Sequence, residues 1–402
     1  MPEGKLDTVE VARRLGVKPQ TVYAYVSRGL LGRDPASGPR RSLFDRDEVE
    51  RLAARARRTD RSGALEVVVE TELTLLDPAG RLLYRGHDAI ELARFRDFEG
   101  VAALLWGGGP PAPWELPAQA AAALAEAAPL LGGSAEPERP LVALAALAAR
   151  DADRADRRAE TVRAKGATIL AAIVESLPAA ADPVDRSLAA RLWAALDPRG
   201  ARPSPAQLKA LNAALVLLAD HELSASGLAA RVAASAWADP YRVVLAGLGA
   251  LGGALHGAAT QATDAMLATL AEQGDPRAVL DRHLGLEVPL PGFGHRVYRD
   301  RDPRADHLLS YLPRAARDAE LARLAGELVE AAGDAGLPAP NVDFALAALC
   351  TAIGLRRGAA ATIFTTARAA GLLAQAIEEY PHRLRFRPRA TYVGRGAGSG
   401  PR

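Results

Sequence analysis

The stretch VVLAGLGALGGALHGAAT, residues 243–260, decides the fold, because its uncharged run admits three readings. As a membrane span it fails: five glycines and His256 interrupt it, and a span needs about 20 predominantly apolar residues. As a dinucleotide fingerprint, Gly247-x-Gly249-x-x-Gly252 follows the apolar VVLA. That motif works only at the turn from a strand into a helix, and no βαβ pattern flanks it here. The remaining reading is a buried helix whose glycines let neighbouring helices approach closely.

Outward from this stretch, alanine, leucine and arginine recur at helical period. The segments lie near 88–106, 115–130, 139–150, 156–178, 184–196, 206–220, 225–237, 240–256, 258–273, 304–312, 315–333, 341–355 and 360–380. Only LEVVVETELTLLDPAGRLLYRG alternates as a hairpin would, around the turn at Pro78 to Gly80. The fold class is therefore all-α. GGGPPAP, GGSAEPERP and RGARPSP read as surface loops within one body, since helical pattern of similar composition resumes on both sides.

At 402 residues, 49% hydrophobic and 24% charged, the chain can bury a large core without staples. Its one cysteine, Cys350, sits in an apolar run and is expected to pack as a small hydrophobe, which excludes an intrachain disulfide and fits a cytoplasmic home. The start, MPEGKLDTVE, lacks the apolar segment of a signal peptide. The net charge of +2 hides a split: residues 1–62 carry 14 Lys or Arg against 9 Asp or Glu, and the rest carry 36 against 39. Such a basic head faces anions or nucleic acid.

In that head, Thr8 is expected to cap a helix VEVARRLG with Val9, Ala12 and Leu15 on one buried face. After a turn at Gly16, a second helix, QTVYAYVSRG, buries Val22 and Val26. GRDPASGPRRSLF follows as a hairpin wing, and Asp45 with Glu48 caps DRDEVERLAARARR. This pattern resembles the winged helix-turn-helix of the MerR and excisionase type. The resemblance implies a second helix in the major groove, with Gln20, Thr21 and Arg28 near bases or phosphates and Arg40 and Arg41 on phosphates. The alternative is that the head is a helical dimerisation or docking element whose arginines are simply solvated.

The chemistry-bearing residues cluster later. DHELSAS (220–226), GALHGAA (253–259), PGFGHRVYRDRDPRA (291–305) and PNVDFA (340–345) bring His221, His256, His295 and Asp343, each beside Gly, Pro or a helix end. TTARAAG (365–371) and RPRATY (387–392) add arginines. His221 has no second histidine at the HExxH spacing and one cysteine cannot build a thiolate site, so no metal site is expected. Neither a nucleophile elbow nor a P-loop lysine is present. Three planar guanidinium forks, Arg304, Arg368 and Arg387, suit a substrate with two carboxylates. His87, His283, His307 and His382 are expected to be satisfied core residues, and Asp343 doubles as a possible helix cap.

In order and spacing, HELSAS, LHGAA, PGFGHRVYRDRDPRA, PNVDF, ARAAG and RPRATYVG resemble citrate synthase and its close relative 2-methylcitrate synthase. RLLYRGHDAIELA and RAKGATILAAI extend the likeness, from about residue 65 to the C-terminus. The resemblance implies a two-domain helical fold: a large domain from 63–257 plus 361–402 and a small, CoA-side domain from 258–360, preceded by the head at 1–62. It implies Asp343 as the base acting on the methyl of acetyl-CoA, His256 as donor to the thioester oxygen and His295 as donor to a keto carbonyl. His221, Arg304 and Arg368 would bind the 2-keto dicarboxylic acid, with Arg387 supplied across a homodimer. Acetyl-CoA is then a substrate and no cofactor is required. Arg296 either meets CoA phosphates or forms an internal ion pair.

The chain departs from the family at Ala258, Thr260 and Gln261, where HGGAN-E is usual, at Ala345-Leu346 after NVDF, and at Leu372 and Gln375, where the family has Gly-Trp-x-Ala-His. None of these removes a chemical residue. They leave a second reading open, a metabolite-sensing DNA-binding regulator built on a synthase-like body.

Overall fold

The computed structural model describes residues 5–15, 22, 26, 31–34, 42–46, 49, 68–77, 80–110, 113–133, 138–253, 258–286 and 288–386. The chain divides into two compact units, 1–70 and 71–402.

In the first unit, β1 (Lys5–Asp7) pairs antiparallel with β2 (Leu43–Asp45), setting Leu6 opposite Phe44. Helix α1 (Thr8–Leu15) follows at once. Its cap is Asp7, whose Oδ1 accepts from the N–H groups of Val9 and Glu10 at 3.1 and 3.0 Å, rather than Thr8. Val11 and Ala12 are buried against Leu6, Val22 and Phe44 while Val9 is 69% exposed, so the face that packs is that of Val11 and Ala12 rather than the expected one through Val9. Val22 and Val26 join this core with Leu31, Phe44 and Val49. A bridge from Arg33 to Phe44 marks the wing, and Asp45 lies in β2. Gln20, Thr21, Arg28, Arg40 and Arg41 lie outside the described residues.

The second unit opens with an antiparallel sheet of β3 (Thr74–Asp77), β4 (Arg81–Tyr84) and β5 (His87–Asp88). Helices then take over: α2 (Ala89–Phe95), α3 (Phe98–Leu105), α4 (Ala118–Glu126), α5 (Ala128–Gly133), α6 (Arg139–Arg150), α7 (Ala159–Glu175), α8 (Leu188–Leu196) and α9 (Pro205–Leu218). They continue as α10 (Ala225–Ser235), α11 (Pro240–Leu251), α12 (Ala258–Gln273), α13 (Pro276–Gly285), α14 (Pro303–Leu309), α15 (Leu312–Ala315), α16 (Ala319–Asp334), α17 (Val342–Ala352) and α18 (Ala359–Glu379).

Local chemistry sets these ends. Ser204 closes a capping box with Gln207, and Asp239, Asp275 and Asp302 each cap a helix whose first turn holds a proline. The segment 88–106 is two helices because Asp97 accepts from Gly100 N–H and starts a new one. Helix α13 was not expected, since PRAVLDRHLG buries only Val279 and Leu280 and shows no apolar stripe. Cys350 is buried and free. No helix among the described residues is long and apolar enough to cross a membrane.

Gly247 of α11 faces α18 so closely that a Cβ there would lie 2.5 Å from Leu372 Cδ1. The glycine-rich stretch thus serves helix contact. Helix α18 is almost wholly buried, packs on α9, α10, α11 and α7, and carries Arg368 into the centre of the unit.

Candidate active site

Two segments are laced together to make one wall of the site. Gly294 N–H donates to Ala339 O at 2.9 Å, Asn341 N–H to Gly292 O at 2.8 Å, and Asn341 Nδ2 to Gly294 O at 2.9 Å. Asn341 also caps α17, accepting from the N–H groups of Asp343 and Phe344, so the cap is Asn341 and Asp343 is left free for other work. Gly292 sits at φ +79°, and a Cβ there would stand 2.8 Å from Phe344 Cβ, so only glycine lets the His295 loop approach α17 this closely.

The backbone fixes the protonation pattern of His295. Its Nδ1 accepts from Val297 N–H at 3.0 Å and Tyr298 N–H at 3.1 Å. A nitrogen that accepts two N–H groups carries no proton, so the neutral ring holds its hydrogen on Nε2. Burial, reinforced by the charge of Arg304, lowers its pKa to about 4. Nε2 lies 3.4 Å from Arg304 Nη2. Both atoms are donors, so this contact is no hydrogen bond: two N–H sources converge on the space where an oxygen would sit.

Arg304 is buried and held on one edge by Asp302, with Nε to Oδ1 at 3.0 Å and Nη2 to Oδ2 at 2.8 Å. Burial opposes both charges, and each offsets that cost for the other: Arg304 is held above the usual guanidinium range and Asp302 below the usual carboxylate range. Asp302 Oδ2 also accepts from Val342 N–H at 3.0 Å, tying the start of α14 to the start of α17.

Arg368 differs. Its guanidinium is buried, yet no carboxylate among the described residues lies within ion-pair distance. It donates to Leu218 O at 3.1 Å, contacts Ser224 Oγ at 3.5 Å and stacks over the Phe364 ring. Burial pulls its pKa down, and the more distant charge of Asp220 only partly restores it. A buried cation in this condition is strongly disfavoured unless an anion joins it.

His221 stands edge-on to His295, ring centroids 5.3 Å apart, after Asp220, which takes Thr74 Oγ1 at 2.6 Å and Gln375 Nε2 at 3.2 Å. Tyr298 stacks at 4.7 Å from His295, and its buried hydroxyl has no hydrogen-bond partner among the described residues. Burial raises its pKa to about 12, so it stays a donor.

Asp343 is half-buried, and burial raises its carboxyl pKa, opposed by a 2.7 Å hydrogen bond from Thr260 Oγ1 and by the charges of Arg304 and Arg368. One turn beyond Thr260, Asp264 is pushed by burial to about 6, although Arg357 opposes the rise.

His295 thus lies against both His221 and Arg304, and the charges of Arg304 and Arg368 act on Asp343, while His256 and Arg387 lie outside the described residues. Arg296 is exposed and makes no ion pair among the described residues. His87 and His382 are exposed, not core residues, because β5 and the segment after α18 turn them outward; His283 and His307 are half-buried. Sequence reading missed Asp302, Tyr298, Thr260 and Gln375, although Asp302-Pro303 carried a cap signal that marked at least the first. Among the described residues no cluster of His, Cys, Asp and Glu could hold a metal ion.

A helical body with a neutral imidazole donor, a half-buried carboxylate and buried guanidinium groups defines an enzyme class that handles a small anion and moves a proton. The citrate synthase C-terminal domain family matches residues 64–389, and a helix-turn-helix domain family matches residues 6–57. The citrate synthase of Haloferax volcanii is 34% identical over 359 residues, covering 82% of this chain and 94% of that protein. Citrate synthase 2 of Bacillus subtilis is 37% identical over 201 residues; that match takes in 48% of this chain and about half, 53%, of the relative. A solved Thermoplasma acidophilum citrate synthase, in ternary complex with carboxymethyl coenzyme A and oxaloacetate, superposes with TM-score 0.66 at 27% identity, over 83% of this chain and 96% of that one. The chain belongs to the citrate synthase family.

Proposed function

We propose that this protein condenses the acetyl group of acetyl-CoA with oxaloacetate to give citrate and CoA. The observation that carries the reading is Arg368: a buried guanidinium with no carboxylate among the described residues within ion-pair distance supplies a positive charge for a 2-keto acid anion. Arg304 offers its unpaired edge to the same anion, and His221 stands against His295. Arg387 of the partner subunit completes the set in a homodimer.

Asp343 removes a methyl proton from the thioester, with His256 donating to the thioester oxygen as the enolate forms. The enolate carbon attacks the keto carbon, a C–C bond replaces the carbonyl π bond, and the new alkoxide is met by His295 Nε2–H. Water then cleaves the thioester, releasing citrate and CoA. One preorganised donor at such an oxyanion is worth roughly 3 kcal/mol. Acetyl-CoA is a substrate throughout, Arg296 reaches its phosphates from the exposed rim, and no cofactor takes part. The small portion, 258–360, closes on the large one to exclude water. The single buried thiol fits work in the cytoplasm.

The test is thiol release by the purified chain, with acetyl-CoA and propionyl-CoA, each with and without oxaloacetate. Release that depends on oxaloacetate supports the reading, and preference for the propionyl donor moves it to 2-methylcitrate synthesis. No release with either donor overturns it. The head is proposed to bind DNA through Gln20, Thr21, Arg28, Arg40 and Arg41; a salt titration showing no steeper binding to one DNA sequence than to others refutes that part.

A further inference from the structure

Thr260 is fully buried on α12, and its hydroxyl donates to Asp343 Oδ1 at 2.7 Å. A hydroxyl has one hydrogen, so this bond commits it. No other side chain among the described residues donates to Asp343, whose own N–H is taken by the Asn341 cap. One carboxylate oxygen is therefore anchored from α12 while the backbone is anchored from α17, and Oδ2 accepts no hydrogen bond among the described residues. The family pattern described above carries asparagine at this position; this chain reaches the base with a shorter, β-branched side chain whose χ1 is stiff.

We propose that Thr260 is the positioning residue of the base: by holding Oδ1 it presents Oδ2 to the methyl carbon of the acyl substrate. The inference rests on the proposed reaction for its consequence, but the anchoring itself is measurable without turnover. The bond favours the ionised carboxylate against burial, as do the guanidinium groups of Arg304 on α14 and Arg368 on α18. Asp302, before α14, and Asp264, on α12, act the other way on the shared field. Thr260 is the one neutral donor in this set, so removing it changes no charge.

The experiment compares Thr260→Val, which keeps the shape and removes the donor, with Thr260→Ser, which keeps the donor. The Asp343 carboxyl is titrated by infrared difference against Asp343→Asn, and kcat and KM are measured on the same proteins. A hydrogen bond to a charged group sets the expected size: kcat about ten- to a hundredfold lower in the valine variant. Its carboxyl midpoint moves up by about one pH unit, KM for oxaloacetate is unchanged, and serine restores all three. Should valine fail to fold, Thr260→Ala, favourable within a helix, replaces it in the same comparison.

An unmoved midpoint in the donor-less variants overturns the proposal, as does a serine variant as impaired as valine, which would assign the role to packing. A wild-type chain that releases no CoA, with the midpoint still moved by valine, overturns the reaction and leaves the anchoring standing.

Discussion

Asp302 grips Arg304 through two hydrogen bonds, with both side chains almost sealed from water at 1% and 3% exposure. Because Asp302 also holds the N–H of Val342, one carboxylate fixes both an arginine of the site and the first turn of the helix bearing Asp343. Asp302→Asn keeps the shape but strands a buried cation. Breaking a buried pair from one side costs about 3–5 kcal/mol, so urea unfolding is expected to show a loss of that order together with a fall in kcat. A variant as stable as wild type would mean that Asp302 is not what offsets the buried charge of Arg304.

Arg368 predicts the opposite sign. With no carboxylate among the described residues within ion-pair distance, the ligand-free protein carries its desolvation as a burden. Arg368→Met is expected to leave the melting temperature of the ligand-free protein equal or higher, while abolishing the rise that oxaloacetate causes. In wild type that rise corresponds to about 2.7 kcal/mol at a hundred times Kd. Differential scanning with and without oxaloacetate checks it, and a methionine variant still stabilised by the keto acid refutes it.

The pH dependence follows from His295. In the unfolded chain its ring takes a proton near 6.5, and in the native state only near 4. Between those values the unfolded chain binds the extra proton, so the contribution of His295 to stability is intact above about 6.5 and fades as pH falls toward 4. Asp343, pushed upward, behaves oppositely and favours the native state at low pH. His295→Gln is therefore expected to flatten the fall of the urea midpoint between pH 7 and 4.5; an unchanged slope counts against the buried neutral ring. With Asp343 as the proposed base, the acid limb of kcat is expected to follow its carboxyl and to lie above the ordinary carboxylate range.

What the sequence made legible was what short spacing encodes. Helical period gave α6, expected at 139–150 and found as Arg139–Arg150, because its apolar stripe and flanking Gly and Pro coincide in one window. The motif order singled out His221, His295, Asp343, Arg304 and Arg368 as candidates. What stayed hidden was partnership across the fold. Nothing near Arg368 in sequence says that it lacks a carboxylate, and nothing near Thr260 names a partner 83 positions away. The departures at Thr260 and Gln375 looked like packing changes, yet both residues hydrogen-bond into the site.

Gln375 shows how. Its Nε2 donates to Asp220, at 3.2 and 3.3 Å from the two carboxylate oxygens, and its Oε1 accepts from the Nε of Arg231, itself fully buried between Glu378 and Glu379. Here the amide is used once as donor group and once as acceptor, and a neutral imidazole, the usual family residue at this position, can supply one of each. Gln375→His is expected to fold with wild-type stability. Gln375→Leu leaves a buried carboxylate and a buried guanidinium each short of a partner, at about 1–3 kcal/mol for each group. Since Asp220 precedes His221, the leucine variant should also raise KM for oxaloacetate. Equal behaviour of the two variants would show that the amide is only filling space.

The contact of Gly247 with Leu372 tests the fold at its tightest crossing. A methyl group at 247 would fall 2.5 Å from Leu372 Cδ1, and Leu372 has no solvent-exposed surface into which to swing. Gly247→Ala is expected to destabilise by about 1–3 kcal/mol, the usual range for overpacking, even though alanine is the better helix former. Leu372→Ala opens a cavity on its own, but combined with Gly247→Ala it makes room for the new methyl. The two changes should therefore cost less together than the sum of each alone, by about 0.5–3 kcal/mol, the range for residues in contact. Strict additivity in urea unfolding would mean that α11 and α18 do not meet at this point, and Arg368, one turn earlier on α18, would then be held in place by some other contact.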